Sequence, residues 1–116
     1  MVRTKGKAEE TYQIRLTRQT QRSINQIVGY IAHIMREPQN DVRVGDKLFQ
    51  TIDRIEKNPF VFRECEEIPT KNKIYRKAIC MSWLIIYRIN HTEVVILDII
   101  HRSRRPHRIK SLRKIE

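Results

Sequence analysis

Three apolar segments follow one another in the last third of the chain, and only two or three residues separate each from the next. They are residues 74–80, 83–89 and 93–100. Extended segments joined by such short connections are typical of antiparallel hairpins, so they predict a three-stranded meander. Nearly every residue of the second and third segments is apolar. This pattern indicates central strands covered on both faces, or on one face with a partner on the other.

A short strand and two amphipathic helices precede the meander. Residues 12–16 alternate between apolar and polar side chains, which is the period of a strand with one buried face. Two apolar stripes at helical spacing predict a helix from near Thr17 to Pro38 and a second, capped at residues 40–41, that ends at Asn58. The stripes consist of Ile24, Ile27, Val28, Ile31, Ala32 and Met35, and of Val44, Leu48, Ile52 and Ile55.

Together these elements predict an α+β fold of two layers. An N-terminal strand, a helical hairpin and the meander would form one antiparallel sheet roofed by the two helices. A chain of 116 residues supports a single hydrophobic core. We therefore predict one domain over residues 1–116, with a polar leader at 1–10, a connecting loop at 58–73 and a basic C-terminal tail at 102–116.

The charge of the chain predicts an anionic partner. Its 24 Lys and Arg residues exceed its 13 Asp and Glu residues and give a net charge of +11. The excess is concentrated in residues 102–116, whereas a merely solvated surface would spread it. Such a cluster indicates contact with nucleic acid or an acidic protein. The predicted target-binding residues are Arg102, Arg104, Arg105, Arg108 and Lys110.

Several classes of site and location are not indicated. Cys65 and Cys80 form no C-x-x-C motif and have no histidine at a ligand spacing, so neither a zinc site nor a disulfide framework is predicted. No cofactor is predicted either. The first ten residues are polar and charged, unlike a signal peptide, and no apolar run approaches the length of a membrane span. We therefore expect a cytoplasmic protein without a membrane partner.

Five short motifs and their order resemble one known family. The strand, helix, helix and meander order with a basic exit is similar to the RelE/ParE superfamily of bacterial type II toxins, over roughly residues 10–108. The motifs that carry the resemblance are YQIRLT at 12–17, IEKNP at 55–59, YRK at 75–77, LIIYRI at 84–89, and VVILDII at 94–100 leading into His101 and the arginines.

The resemblance implies a toxin but leaves two mechanisms open. RelE-like members are known for cleaving mRNA on the ribosome and ParE-like members for poisoning DNA gyrase, so the shared fold does not decide the chemistry. Cleavage by a ribose hydroxyl needs a base, positive charge for the transition state and an acid for the leaving oxygen. If this chain is an RNase, the resemblance implies that the catalytic residues are Arg76, His101, Arg104 and His107.

Two departures from the RNase branch favour the other mechanism. Leu84 follows Trp83 where the RNase branch tends to carry an arginine, and no tyrosine follows the last strand. Residues 101–106 instead resemble the His-x-x-Arg-x-Pro ending common among ParE-like and plasmid-stabilisation proteins. We therefore predict a growth-inhibiting toxin that poisons DNA gyrase. A ribosome-dependent mRNA interferase is the first alternative, and a small basic nucleic-acid-binding module is the second.

The resemblance also implies a protein partner, a cognate acidic antitoxin that forms a hetero-oligomer with the toxin. We predict antitoxin contacts at Arg76, Trp83, Tyr87 and Arg104, where an open sheet would meet the basic exit. Packing in the core is the simpler role for Trp83 and Tyr87. His101 has two open roles as well: it can serve as an acid or base, or it can end the strand and bind backbone groups.

Overall fold

The structure, a computed structural model, describes residues 12–29, 38–104 and 107–114. The predicted leader, Arg105 and the end of the first helical stripe (Ile31, Ala32 and Met35) lie outside these ranges. The described elements are β1 (Gln13–Leu16), α1 (Arg18–Gly29), α2 (Pro38–Lys57), β2 (Arg63–Glu64), β3 (Tyr75–Cys80), β4 (Trp83–Asn90), β5 (Glu93–His101) and α3 (His107–Ser111), with short 3-10 helices at Pro59–Val61, Arg102–Arg104 and Leu112–Lys114.

Five strands form one sheet in the order β1-β5-β4-β3-β2. β3, β4 and β5 pair as antiparallel neighbours, which confirms the predicted meander. β1 pairs parallel with β5, with Gln13 opposite Glu93, so the sheet is mixed rather than antiparallel throughout. The parallel direction is possible because the chain leaves β1 through two helices. Only a tight turn would force the paired strand to run antiparallel.

Two further details differ from the sequence prediction. α2 begins at Pro38, before the predicted caps at residues 40–41. Proline has no amide hydrogen and is therefore well suited to the first turn of a helix, because the amides of that turn have no acceptor within the helix. The predicted loop at 58–73 contains β2, which pairs with Arg76 and Lys77 at the edge of the sheet. Two paired residues are too few to show an alternating pattern.

The two helices cover one face of the sheet. The Thr17 hydroxyl caps α1 by accepting the amide hydrogen of Thr20 at 3.0 Å. Both threonines also donate to β5: Thr17 to the carbonyl of Leu97 at 3.0 Å, and Thr20 to that of Ile96 at 2.7 Å. The start of α1 is thereby attached to β5 just beyond the end of β1. The buried residues on this face include Ile24, Ile27, Val44, Leu48, Ile52, Ile55, Ala78, Ile85, Tyr87, Ile89, Val94, Ile96 and Ile99.

The C-terminal segment covers part of the opposite face. Ile109 of α3 and Leu112 of the following 3-10 helix are fully buried there. They pack with Cys65, Ile68, Tyr75, Leu84, Ile86, Val95, Leu97 and Ile100. Residues 107–114 of the predicted basic tail are therefore a docked part of the fold, since Ile109 and Leu112, three apart, fall on one face of a helical segment. This partial third layer explains why β4 and β5 are apolar on both faces.

Candidate functional site

The basic exit begins at a fixed end of the sheet. His101, the last residue of β5, pairs with Trp83, the first residue of β4, and their rings meet edge to face with centroids 5.0 Å apart. The amide of Arg102 then donates to the carbonyl of Ser82 at 2.9 Å. We call the surface formed by Met81, Trp83, His101 and Arg102 the sheet end.

His101 caps the turn that follows it. Its Nδ1 accepts the amide hydrogen of Ser103 at 3.2 Å and lies 2.9 Å from the Ser103 hydroxyl. Because a backbone amide is always a donor, Nδ1 carries no proton in this arrangement. The neutral ring assigned from this hydrogen bond therefore has its hydrogen on Nε2. In that form Nε2 is a hydrogen-bond donor and has no lone pair with which to act as a base.

Arg76 holds backbone segments together at the opposite side of the sheet. Its Nε donates to the carbonyl of Lys73 at 2.9 Å, and its Nη1 donates to that of Phe62 at 2.8 Å. The guanidinium also lies over the ring of Phe60, 5.1 Å from the centroid. Arg76 thus attaches the segment after α2 to β3.

The strand register separates Arg76 from His101. Arg76 lies opposite Tyr87 on β4, whereas His101 lies opposite Trp83, four residues away on the same strand. Four residues correspond to about 13 Å along the sheet, and the two strand spacings between β3 and β5 add about 10 Å across it. The structure therefore does not bring these two predicted catalytic residues together.

The remaining predicted cations are distributed over the C-terminal segment. His107 and Lys110 are exposed on α3, and the backbone of Arg104 lies in the 3-10 helix after β5. Arg108 donates from Nη2 to the Asp98 carboxylate at 3.0 Å while its side chain remains 46% exposed. The positions of the described cations in this segment are therefore set by the docking of the C-terminal chain.

Asp98 is a structural centre that the sequence reasoning missed. Its carboxylate is almost completely buried and accepts from the Ser23 hydroxyl at 2.5 Å, the Ile99 amide at 2.7 Å and Arg108. It lies where the pairing of β4 with β5 shifts register. Asp98 thereby connects α1, β5 and α3. Its signal in the sequence is that it is the sole charged residue in the apolar run 94–100.

Tyr87, predicted as a packing residue and as an antitoxin contact, lies entirely in the core. Its side chain has no exposed surface, and its hydroxyl donates to the carbonyl of Pro59 at 2.6 Å. Burial raises the pKa of the phenol, although the charge of Arg76 offsets part of the effect. The predicted antitoxin contact is therefore corrected: a partner cannot touch this side chain in the folded protein. Trp83 is half-buried and retains surface at the sheet end.

The Tyr87 hydrogen bond leads to a stability prediction. Tyr87→Phe should lower the free energy of unfolding by about 1–2 kcal/mol, because the carbonyl of Pro59 would lose its donor in a buried environment. Urea denaturation of the purified protein would measure the change. Tyr75→Phe is the matched control, since Tyr75 is also buried but its hydroxyl makes no hydrogen bond in the described ranges. Equal losses in the two variants would contradict the prediction.

The Cys65 thiol lies beside the ion pair of Lys77 and Glu67. Lys77 donates to the Glu67 carboxylate at 3.2 Å, and the Cys65 thiol donates to the same carboxylate at 3.5 Å. Burial, together with the charge of Glu67, raises the pKa of Cys65 to about 11, so the thiol stays protonated.

Within the described residues no three His, Cys, Asp or Glu side chains group as metal ligands. No described helix is long and apolar enough to cross a membrane.

One family model and two solved structures match most of this chain. The family model described as the ParE toxin of the type II toxin-antitoxin system parDE matches residues 14–106. A structure of the chromosomal ParDE system from P. aeruginosa superposes with a TM-score of 0.66 at 14% identity, covering 79% of this chain and 97% of that one. The RelBE2 toxin-antitoxin complex from Mycobacterium tuberculosis gives a TM-score of 0.51 at 21% identity, covering 79% and 99%. No curated protein matches significantly in sequence.

Proposed function

Since the chain belongs to the ParE toxin family of type II toxin-antitoxin systems, we propose that it arrests bacterial growth by poisoning DNA gyrase. The toxin acts in the cytoplasm, where gyrase works, and it binds its target without performing chemistry of its own. The basic exit supplies the target contacts, namely Arg102, Arg104, Arg105, Arg108 and Lys110.

The distance between Arg76 and His101 carries this proposal. An RNase needs its base, acid and phosphate-binding cations around one reacting group. Here the strand register separates two of the four predicted catalytic residues, and backbone carbonyls occupy Arg76. His101 also presents a donor at Nε2, which argues against its role as the base, although not against its role as the acid. A surface that only binds a macromolecule does not need a base, an acid and cations to meet around one reacting group.

Induced expression in a bacterial host tests the target. A gyrase poison should produce filamentous cells, an SOS response and trapped gyrase-DNA cleavage complexes. The purified toxin should inhibit supercoiling by purified gyrase. Arrest of translation with transcripts cut inside codons would instead establish an mRNA interferase. Salt-sensitive nucleic-acid binding without growth arrest would establish a binding module.

A single charge reversal tests the contribution of the basic exit. Arg102→Glu should weaken inhibition of gyrase by about tenfold or more, because it replaces an attractive charge with a repulsive one at the contact. Lys71→Glu, an exposed change in the turn before β3, is the matched control and should leave inhibition unchanged. If both variants inhibited gyrase equally, Arg102 would not be a contact with the target.

The second proposed partner is an acidic antitoxin. Both structural neighbours come from toxin-antitoxin systems, and this chain carries a net charge of +11. We place the neutralising segment at the sheet end, where Trp83 offers apolar surface beside Arg102. Arg104, two residues further along the chain, is a further proposed contact. Binding there would form a hetero-oligomer and cover the proposed target contacts. Arg76 remains a proposed contact only through the part of its side chain that is exposed.

A further inference from the structure

We propose that His101 is fixed as its Nε2–H tautomer and donates that hydrogen to a carboxylate of the antitoxin, with Ser103 and Trp83 as positioning residues. The identity of the partner rests on the proposed function. The tautomer and the ring orientation rest on the geometry of this chain alone.

Two contacts determine which edge of the His101 ring faces outward. The Ser103 amide occupies Nδ1 at 3.2 Å, and the Trp83 ring stands perpendicular to the imidazole at 5.0 Å. Nε2 makes no hydrogen bond within the described part of the chain, and the side chain is partly exposed. A half-buried donor held in one orientation loses little entropy when it binds an acceptor.

The surroundings of His101 fit a carboxylate on a protein. Trp83 is half-buried and its ring meets the imidazole edge to face, so His101 lies beside apolar surface. Met81, in the turn just before Trp83, is 49% exposed, and Arg102 adds positive charge. Aromatic and methionine side chains beside an arginine are typical of the centre of a protein interface. A neutral donor beside apolar surface attracts a nucleic-acid backbone weakly, since that binding depends on cationic contacts to phosphates. The observations therefore favour an acidic segment with an apolar side chain next to its carboxylate.

The tautomer can be measured without any partner. Long-range ¹H–¹⁵N NMR correlations of the full chain at about pH 8.5, above the ordinary imidazole range, distinguish a protonated from an unprotonated ring nitrogen. We expect Nε2 of His101 to carry the hydrogen, with the signals assigned by their loss in His101→Gln. A hydrogen on Nδ1 would overturn the proposal.

Two substitutions separate the donor from the cap. In His101→Gln the side-chain amide can place a donor near the position of Nε2 but loses the cap. In His101→Asn the shorter amide keeps an acceptor for the Ser103 amide but loses the outward donor. Thermal melts of both variants establish that each is folded before affinities are compared.

Affinity for the antitoxin encoded beside the toxin gene then tests the role of the donor. Isothermal titration calorimetry should show His101→Asn weaker by about tenfold or more and His101→Gln within about threefold of the unchanged protein. If this surface instead bound phosphate groups, a short DNA duplex would compete with the antitoxin for it. Unchanged affinity in His101→Asn, an equal loss in both variants, or displacement of the antitoxin by DNA would overturn the proposal. His91→Asn, in the turn at the other end of the sheet, is the control.

Growth assays keep this proposal separate from the gyrase proposal. If the unchanged chain fails to poison gyrase but the variants show the expected affinities, the gyrase proposal fails alone. If gyrase is poisoned and His101→Asn binds the antitoxin normally, the role of His101 as a donor fails alone.

Discussion

Replacing Asp98 by alanine should lower the free energy of unfolding by about 3 kcal/mol. The change removes a buried acceptor and leaves the Ser23 hydroxyl and the Ile99 amide without it. Arg108 contributes less to the loss because its side chain is 46% exposed and water can solvate the guanidinium. Asp98→Asn should lose less, since an amide oxygen still accepts two hydrogen bonds. Urea denaturation at neutral pH would measure all three proteins.

Glu93→Ala is the matched control on the same strand. Glu93 also accepts from an arginine, Arg15 at 3.0 Å, but the two side chains are 33% and 42% exposed. An exposed pair of this kind contributes at most about 1 kcal/mol. If Asp98→Ala cost no more than Glu93→Ala, Asp98 would not be a structural centre of the fold.

Removing the partner of Glu67 should have the second large effect. In Lys77→Met the carboxylate keeps its place but loses an ammonium group 3.2 Å away, in a pair whose side chains are only 10% and 14% exposed. Breaking such a pair leaves an uncompensated charge and should cost about 2–4 kcal/mol at neutral pH. Replacing both residues, as Lys77→Met with Glu67→Leu, should recover part of the loss.

The cost of Lys77→Met should depend on pH. Burial by itself raises the pKa of Glu67, but its backbone amide and Lys77 outweigh burial and hold the pKa below its ordinary value of 4.5. The pair therefore stabilises the native protein above the unfolded pKa, and this stability is lost as the pH falls through the folded pKa. Without Lys77 the pKa of Glu67 loses two of the causes that lower it, so this stabilisation above the unfolded pKa becomes smaller. The difference between the two proteins should shrink below about pH 4.5 in urea titrations.

The exposed Arg63–Glu66 pair supplies the control for this pH dependence. Its atoms also approach to 3.0 Å, but its side chains are 59% and 69% exposed. Arg63→Ala should therefore change stability little at any pH. An equal pH dependence in Arg63→Ala and Lys77→Met would show that the effect reflects overall charge rather than the buried pair.

Local patterns predicted most of the fold. The apolar stripe of α2, the described part of the stripe of α1 and the three apolar strands appear where their periods place them, because those periods follow from burial of one helix stripe or of strand faces. Family membership confirms the resemblance to type II toxins. The parallel pairing of β1 and the docking of α3 were missed. Both depend on contacts between distant parts of the chain, which leave no period in the sequence.

The candidate site shows the same division. His101 and Trp83 were predicted as site residues from the sequence, but their contact depends on the register of β4 with β5. The role of Arg76 depends on carbonyls of the segment after α2, and Asp98 binds Ser23, which lies 75 residues earlier. Sequence reasoning identifies which side chains have suitable chemistry. The distances that decide whether they converge come from the sheet register.

The docked C-terminal segment determines when the second face of the sheet is covered during synthesis. Ile109 and Leu112 cover part of that face, yet the ribosome releases them after all the described strands. The nascent chain therefore carries an uncovered apolar surface until residues 107–114 have been synthesised and have docked, and chaperones and proteases recognise such a surface. Substitutions of Ile109 or Leu112 by a charged residue should consequently be recovered among survivors of toxin induction, although neither side chain is a proposed target contact.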